Sequence, residues 1–180
     1  MHMKPAALVF ADSEGEAVEM ARGVFRQLCL NQEPFDYFEL MQMDGETGNW
    51  KEGEVAYKQD SPEFSKIVTK RMEYTKLEFM RYLKDIRRAL KSKTDEQLFA
   101  ARFGDVKVGK KTVMFRYSCG ILGQYHGSGI WLYDQDGEGI REPGHLKDVE
   151  DKWPDIHEEV GKPNPYAGKK LWAVVADVHF

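Results

Sequence analysis

The stretch KPAALVFADSEGEAVEMARGVFRQLCLNQEPFDYFELMQM, residues 4–43, decides the fold, because three different patterns follow one another in it. KPAALVFA is an apolar run too short for a helix and reads as a strand buried on both faces. Next, Ser13 is placed to cap a helix, and Glu16, three residues on, to return the hydrogen bond. Ala17, Val18, Ala21, Val24, Phe25 and Leu28 recur at three and four, which lays one helix face on a sheet. PFDYFELMQM reads as a second strand, so the chain opens β-α-β.

Residues 44–60 are glycine-rich and acidic without a sustained period and predict a long loop or irregular hairpin. Ser61 and Pro62 start a helix running to about Leu90, with Val68, Met72, Phe79, Leu83, Ile86 and Leu90 on its apolar side. TDEQLFAARFG (94–104) restarts a helix, with Thr94 and Gln97 as a second capping box and Gly104 as its end. From Val106 the pattern is that of strands. VKVGKKTVMFRYS (106–118) predicts a turn at Gly109 and a strand with Val113, Phe115 and Tyr117 on one face, and GIWLYD (129–134) another strand. DQDGEG (134–139) carries the Asp-Gly chemistry of a hairpin turn. A short acidic helix around PGHLKDVEDKW (143–153), the loop GKPNPYAGKK (161–170) and a buried strand, LWAVVADVHF (171–180), close the chain. This order predicts an α+β fold, ferredoxin-like or a related antiparallel sheet packed by helices, with a helical insertion. We expect a single domain over residues 1–180, with 44–104 forming the loop and basic helical insertion within it.

The longest apolar runs, AALVFA and LWAVVA, are far too short to cross a bilayer, and no charged segment followed by a long apolar stretch opens the chain. The expectation is a soluble, cytoplasmic protein without membrane contact. Cys29 and Cys119 are not spaced as a zinc pair and read as free thiols, and no cofactor is expected. Met1–Met3 read as a start codon plus a cloning residue, which leaves His2 out of site arguments.

The net charge of −4 is unevenly spread. Residues 61–93 hold ten Lys or Arg against four Asp or Glu, a balance of +6, which leaves −10 for the rest. Arg81, Lys84, Arg88 and Lys91 can line one helix face, with Tyr74, Tyr82 and Arg87 near enough to add stacking or phosphate contacts. Such a face suits a nucleic acid, an acidic protein surface or the acidic side of a second copy of the chain, giving a homodimer. The competing reading is a merely solvated helix whose Glu73, Glu78 and Asp85 dilute the patch.

A second candidate lies on the last strand, where Asp177 and His179, two apart, face the same way and can join Asp36 or His126 if their strands are neighbours. An Asp/His cluster is the chemistry of a transition-metal site or of general acid–base catalysis, as in a metal-dependent hydrolase. The alternative is a strand tip that is polar because it is solvated. YSCGILGQYHGSGIWLYDQDGEGI (117–140) lacks a nucleophile-elbow context, and Cys119 with His126 has no flanking family motif. Its Gly120, Gly123, Gly127 and Gly129 are expected to allow turn conformations or close approach. Asp134–His145 departs from a calcium loop at its twelfth position, where His145 replaces the required Glu. Loop aromatics Trp50, Tyr57, Trp153 and Tyr166 either anchor a partner or pack over the core edge.

VFADSEGEAVEMA (9–21), FDYF (35–38), DGEG (136–139) and the ending VVADVHF (174–180) together resemble a loose class of small uncharacterised α+β proteins of phages and mobile elements, many of which end on a buried strand bearing Asp and His. The resemblance leaves residues 44–115 unmatched and implies no function. The leading expectation is a protein that binds a macromolecule, protein or nucleic acid, through residues 61–93. An Asp/His enzyme is the second reading and a self-associating subunit the third.

Overall fold

A computed structural model describes residues 2–30, 34–101, 105–124, 129–153 and 163–179. It is a mixed α+β structure: a mostly antiparallel sheet with helices packed against it. In chain order the elements are β1 (His2–Met3), β2 (Ala6–Ala11), α1 (Glu14–Cys29), β3 (Tyr37–Met43), β4 (Trp50–Glu52), β5 (Ala56–Lys58) and α2 (Pro62–Ser92). There follow α3 (Asp95–Phe99), β6 (Asp105–Val108), β7 (Lys111–Met114), α4 (Phe115–Gln124), β8 (Leu132–Tyr133), α5 (Pro143–Glu150) and β9 (Lys170–His179). The chain divides into two compact units, one of residues 1–72 with 129–180 and one of residues 73–128.

In the first unit the strand order is β4-β3-β9-β2-β8, and β1 and β5 also pair with β9. Both edges of β9 are occupied along its length. On one side lie β5, opposite Trp172–Val174, and then β3, opposite Val175–His179. The other side pairs with β2, opposite Lys170–Val175, and then β1, opposite Val178 and His179. Pro5, which has no N–H to donate, separates β1 from β2. Since β2 and β3 are each antiparallel to β9, they run parallel to one another with α1 connecting them, and the last strand fills the gap between them.

The two-residue period of β2 and β9 supplies both faces. Ala7, Val9 and Ala11 with Val174, Ala176 and Val178 meet Ala17, Val18, Ala21, Val24 and Phe25 of α1. Ala6, Leu8 and Phe10 with Leu171, Ala173 and Val175 meet Phe64, Ile67 and Val68 of α2, and Leu146 and Val149 of α5 pack against them. The Ser13 cap forms as the sequence predicts, its hydroxyl accepting from the Glu16 N–H, but the Glu16 carboxylate accepts from the N–H of Asp12, one residue before the cap, so the reciprocal box is not closed.

Segment 44–60 is an irregular hairpin. Asp44 Oδ1 accepts from the N–H groups of Glu46 and Thr47, β4 returns along β3, and β5 goes on to β9. These strands and the first turns of α2 therefore belong to the first unit, and the segment set apart is 73–128 where 44–104 was expected. In that second unit, Ala89 of α2 packs with Val106 and Val113 of the β6–β7 hairpin, flanked by Leu98, Ala101, Val108 and Phe115. The Thr94/Gln97 capping box forms as predicted.

Two expectations in this region are corrected. The strand predicted through Tyr117 stops at Met114, and α4 begins at Phe115, so Cys119 is an exposed helical residue and not the end of a strand. Val113, Phe115 and Tyr117 recur at two, but the buried Ser118 three residues after Phe115 sets a helical period, and a run this short fits either. Gly120 and Gly123 accordingly lie inside α4 without turn conformations.

The turn between β8 and α5 depends on a glycine contact. A Cβ on Gly139 would stand 2.2 Å from the Gly129 carbonyl oxygen, and Gly129 itself has φ +66°. Gly139→Ala is therefore expected to lower unfolding free energy by about 2 kcal/mol or more. Gly23→Ala, in α1 with nothing within 4 Å of the new methyl, is expected to raise it by about 0.5–1 kcal/mol. Urea unfolding of both variants checks the pair, and equal midpoints would contradict it.

Candidate functional site

The cations of α2 stand in water. Arg81, Lys84, Arg87, Arg88 and Lys91 are all exposed. At 100° per residue, Leu77, Met80, Lys84, Arg87, Arg88 and Lys91 fall within an arc of roughly 100° on the side away from Thr75, Tyr82 and Ala89, which are buried. Only weak internal neutralisation is present: Arg88 Nη1 lies 3.5 Å from Asp85, while Lys84, Arg87 and Lys91 make no ion pair among the described residues. The charge follows the architecture. Residues 73–128 carry twelve Lys or Arg against six Asp or Glu, a balance of +6, which leaves −10 for the first unit.

Tyr82 does not belong to this face. The residue is only 8% exposed, and its ring meets Tyr117 edge-on at 6.0 Å and lies under the Arg81 guanidinium, whose Nη2 donates to the Tyr82 hydroxyl at 3.2 Å. Arg81 is thereby bent back onto the helix. The apolar side of α2 is also rotated from the expected one, with Ala89 buried where Leu90, 55% exposed, was predicted to face inward. Tyr82 and Thr75 supply enough carbon to face inward although both are polar. What the sequence reading missed on the outward face is apolar: Leu77 and Met80 are 66% and 51% exposed one turn before the cations.

The Asp/His candidates come together in part. β3 and β9 are neighbours, Tyr37 pairs with His179 in register, and His179 Nδ1 lies 3.2 Å from Asp36 Oδ2. The Tyr37 ring stacks on the imidazole at 5.2 Å. Asp177 is engaged elsewhere, with Lys4 Nζ and His2 Nδ1 each 3.3 Å from its carboxylate. His126 lies outside the described residues. Among the described residues no three His, Cys, Asp or Glu are grouped to hold a metal ion. The arrangement is thus a carboxylate-oriented imidazole at the end of the sheet, a geometry able to hold and pass a proton.

The acidic turn is a hairpin turn held by its own aspartate. Asp134 Oδ1 accepts from the N–H groups of Asp136 and Glu138, and His145 Nε2 lies 3.2 Å from Asp134 Oδ2. The loop aromatics divide: Trp50 and Tyr57 meet edge-on over the core and Tyr166 stacks on Phe10, whereas Trp153 is 62% exposed.

The hydrogen bond to Asp134 raises the His145 pKa above its ordinary 6.5, against an opposing effect of burial, with Asp148 and Glu142 adding to the rise. A raised folded value means that the charged pair stabilises fully below the unfolded pKa and is lost as pH climbs through the folded one. Stability should therefore fall as pH rises from the ordinary histidine value through the raised one, by on the order of 1 kcal/mol or less for a partly exposed pair. His145→Gln should flatten that slope in urea unfolding, and an unchanged slope would exclude the pair as its source.

No helix among the described residues is long and apolar enough to cross a membrane. No curated protein and no solved structure matches the chain. One family model does, the domain of unknown function DUF7995, and it spans residues 1–180. Covered along its whole length by that model, the chain belongs to the DUF7995 family.

Proposed function

We propose that this is a binding protein whose partner is an acidic protein surface, engaged by the outward face of α2 in the unit of residues 73–128. The observation that carries the reading is the continuity of exposed Leu77 and Met80 with Lys84, Arg87, Arg88 and Lys91 on one side of one helix. Cations with little internal neutralisation steer an acidic surface and set its register, while neighbouring apolar side chains supply area that a phosphate backbone cannot use. Tyr82 is buried and Tyr74 half-buried, which takes stacking area from this helix and favours protein over nucleic acid.

Anisotropy of a labelled amphipathic peptide with leucine on one face and glutamate on the other tests the reading, beside single- and double-stranded DNA and RNA. We expect peptide binding that weakens with salt, and loss of at least about tenfold in affinity with Lys84→Glu plus Arg88→Glu at unchanged thermal stability. Tighter binding of nucleic acid, or indifference to the charge reversal, would overturn it.

A second reading is favoured by the 3.2 Å Asp36–His179 contact, which fits an enzyme using His179 as its acid–base group. Asp36 would orient the ring, and Asp177 would hold the strand end through Lys4. Under this reading His179→Ala abolishes hydrolysis of model esters and phosphoesters or retention of added zinc. A wild-type protein inert in those assays would remove it.

A further inference from the structure

We propose that the cavity beside the Asp134 turn binds an organic cation, an alkylguanidinium or alkylammonium group of the size of an arginine or lysine side chain. This site lies within the first unit and does not rest on the reading given for α2.

The cavity has a volume of about 360 Å³, in the lower range of small-ligand sites. One wall is apolar. Phe10 and Tyr166 stack at 4.3 Å with 25° between their planes, Val149 lies beside them, and Trp153 stands at the rim with its indole mostly in water. The other wall is acidic, with Asp134, Asp136, Glu142 and Asp148 lining the space. Among the described residues that line it no Lys or Arg occurs, and the imidazole of His145 already has Nε2 on Asp134.

These walls select a class of ligand. An anion would face four carboxylates. A hard divalent cation needs six or more converging oxygens, whereas Asp134 is committed to two backbone N–H groups and His145, and among the described residues no three acids are grouped to hold an ion. A delocalised or alkylated cation meets both walls: its charge is balanced by carboxylates without tight coordination, and its stem and faces lie on the rings. The Trp153 rim is held in place, since its N–H donates to the Asp148 carbonyl at 2.8 Å and the Lys152 carbonyl accepts from Asn164 Nδ2 at 3.0 Å. Neither Phe10 nor Tyr166 would mark the site in a sequence, since they lie at opposite ends of the chain.

The test is a titration of isotopically labelled protein with butylguanidine, with butyrate and calcium chloride as separate arms, read from amide and indole N–H shifts. We expect saturable shifts from butylguanidine centred on residues 134–149 and the Trp153 indole, at about millimolar affinity. Trp153→Ala and Asp148→Asn should each weaken it about fivefold, and Lys84→Glu should leave it unchanged. A capped tripeptide with a central arginine separates the sources: tighter binding than butylguanidine assigns the cavity to a partner's side chain, and equal or weaker binding assigns it to a free small molecule. Absence of saturation, an equal response to butyrate, shifts from calcium alone, or wild-type affinity in both variants would each overturn the proposal.

Discussion

The two hydrogen-bonding edges of β9 are the constraint on which the first unit depends. Four strands occupy them, β5 and β3 along one edge and β2 and β1 along the other. A strand buried this way must have every backbone donor and acceptor satisfied and both of its faces apolar, which Leu171 through Ala176 provide. Beyond Val175 the alternation admits the partly exposed Asp177 and His179 on the same face as Leu171, Ala173 and Val175. Their place at the end of the sheet, and the approach of Asp36 to His179, follow from the register of β3 against β9. The Asp36–His179 contact is thus a consequence of strand register.

The second unit is built on different terms. Its core is small, centred on Ala89, Val106 and Val113, and large apolar side chains such as Phe99 and Met114 remain outside it. Its charge has the opposite sign to that of the first unit. α2 contributes to both: Phe64, Ile67 and Val68 bury against the sheet, and later turns present Leu77, Met80 and the cations to solvent. One helix that changes from scaffold to surface along its length accounts for the positive balance found in residues 61–93.

Much of this organisation was legible in the residues themselves. The β-α-β opening, the Ser13 cap, the Thr94/Gln97 capping box, the Asp-Gly turn and the buried last strand each depend on local patterns with a single reading. Where two periods fit the same short run, local pattern failed: Phe115 lies three before Ser118 and two before Tyr117, and only packing against Val106 and Val113 selects the helix. Tyr82 was misplaced because a tyrosine on a basic helix carries equal signals for stacking outward and packing inward. The Asp36–His179 contact was conditional on strand adjacency, which sequence order does not specify. The cavity was invisible for a related reason, since Phe10, Asp134 and Tyr166 are gathered by sheet order and not by spacing.

Hydrogen exchange of the backbone amides tests the central place of β9 most directly. The account predicts that the amides of Val174, Val175 and Ala176 are the slowest in the first unit and exchange only through global unfolding, while those of the peripheral strands β4 and β8 exchange through local opening at lower free energy. Exchange of the β9 amides as fast as those of β4 or β8 would contradict it.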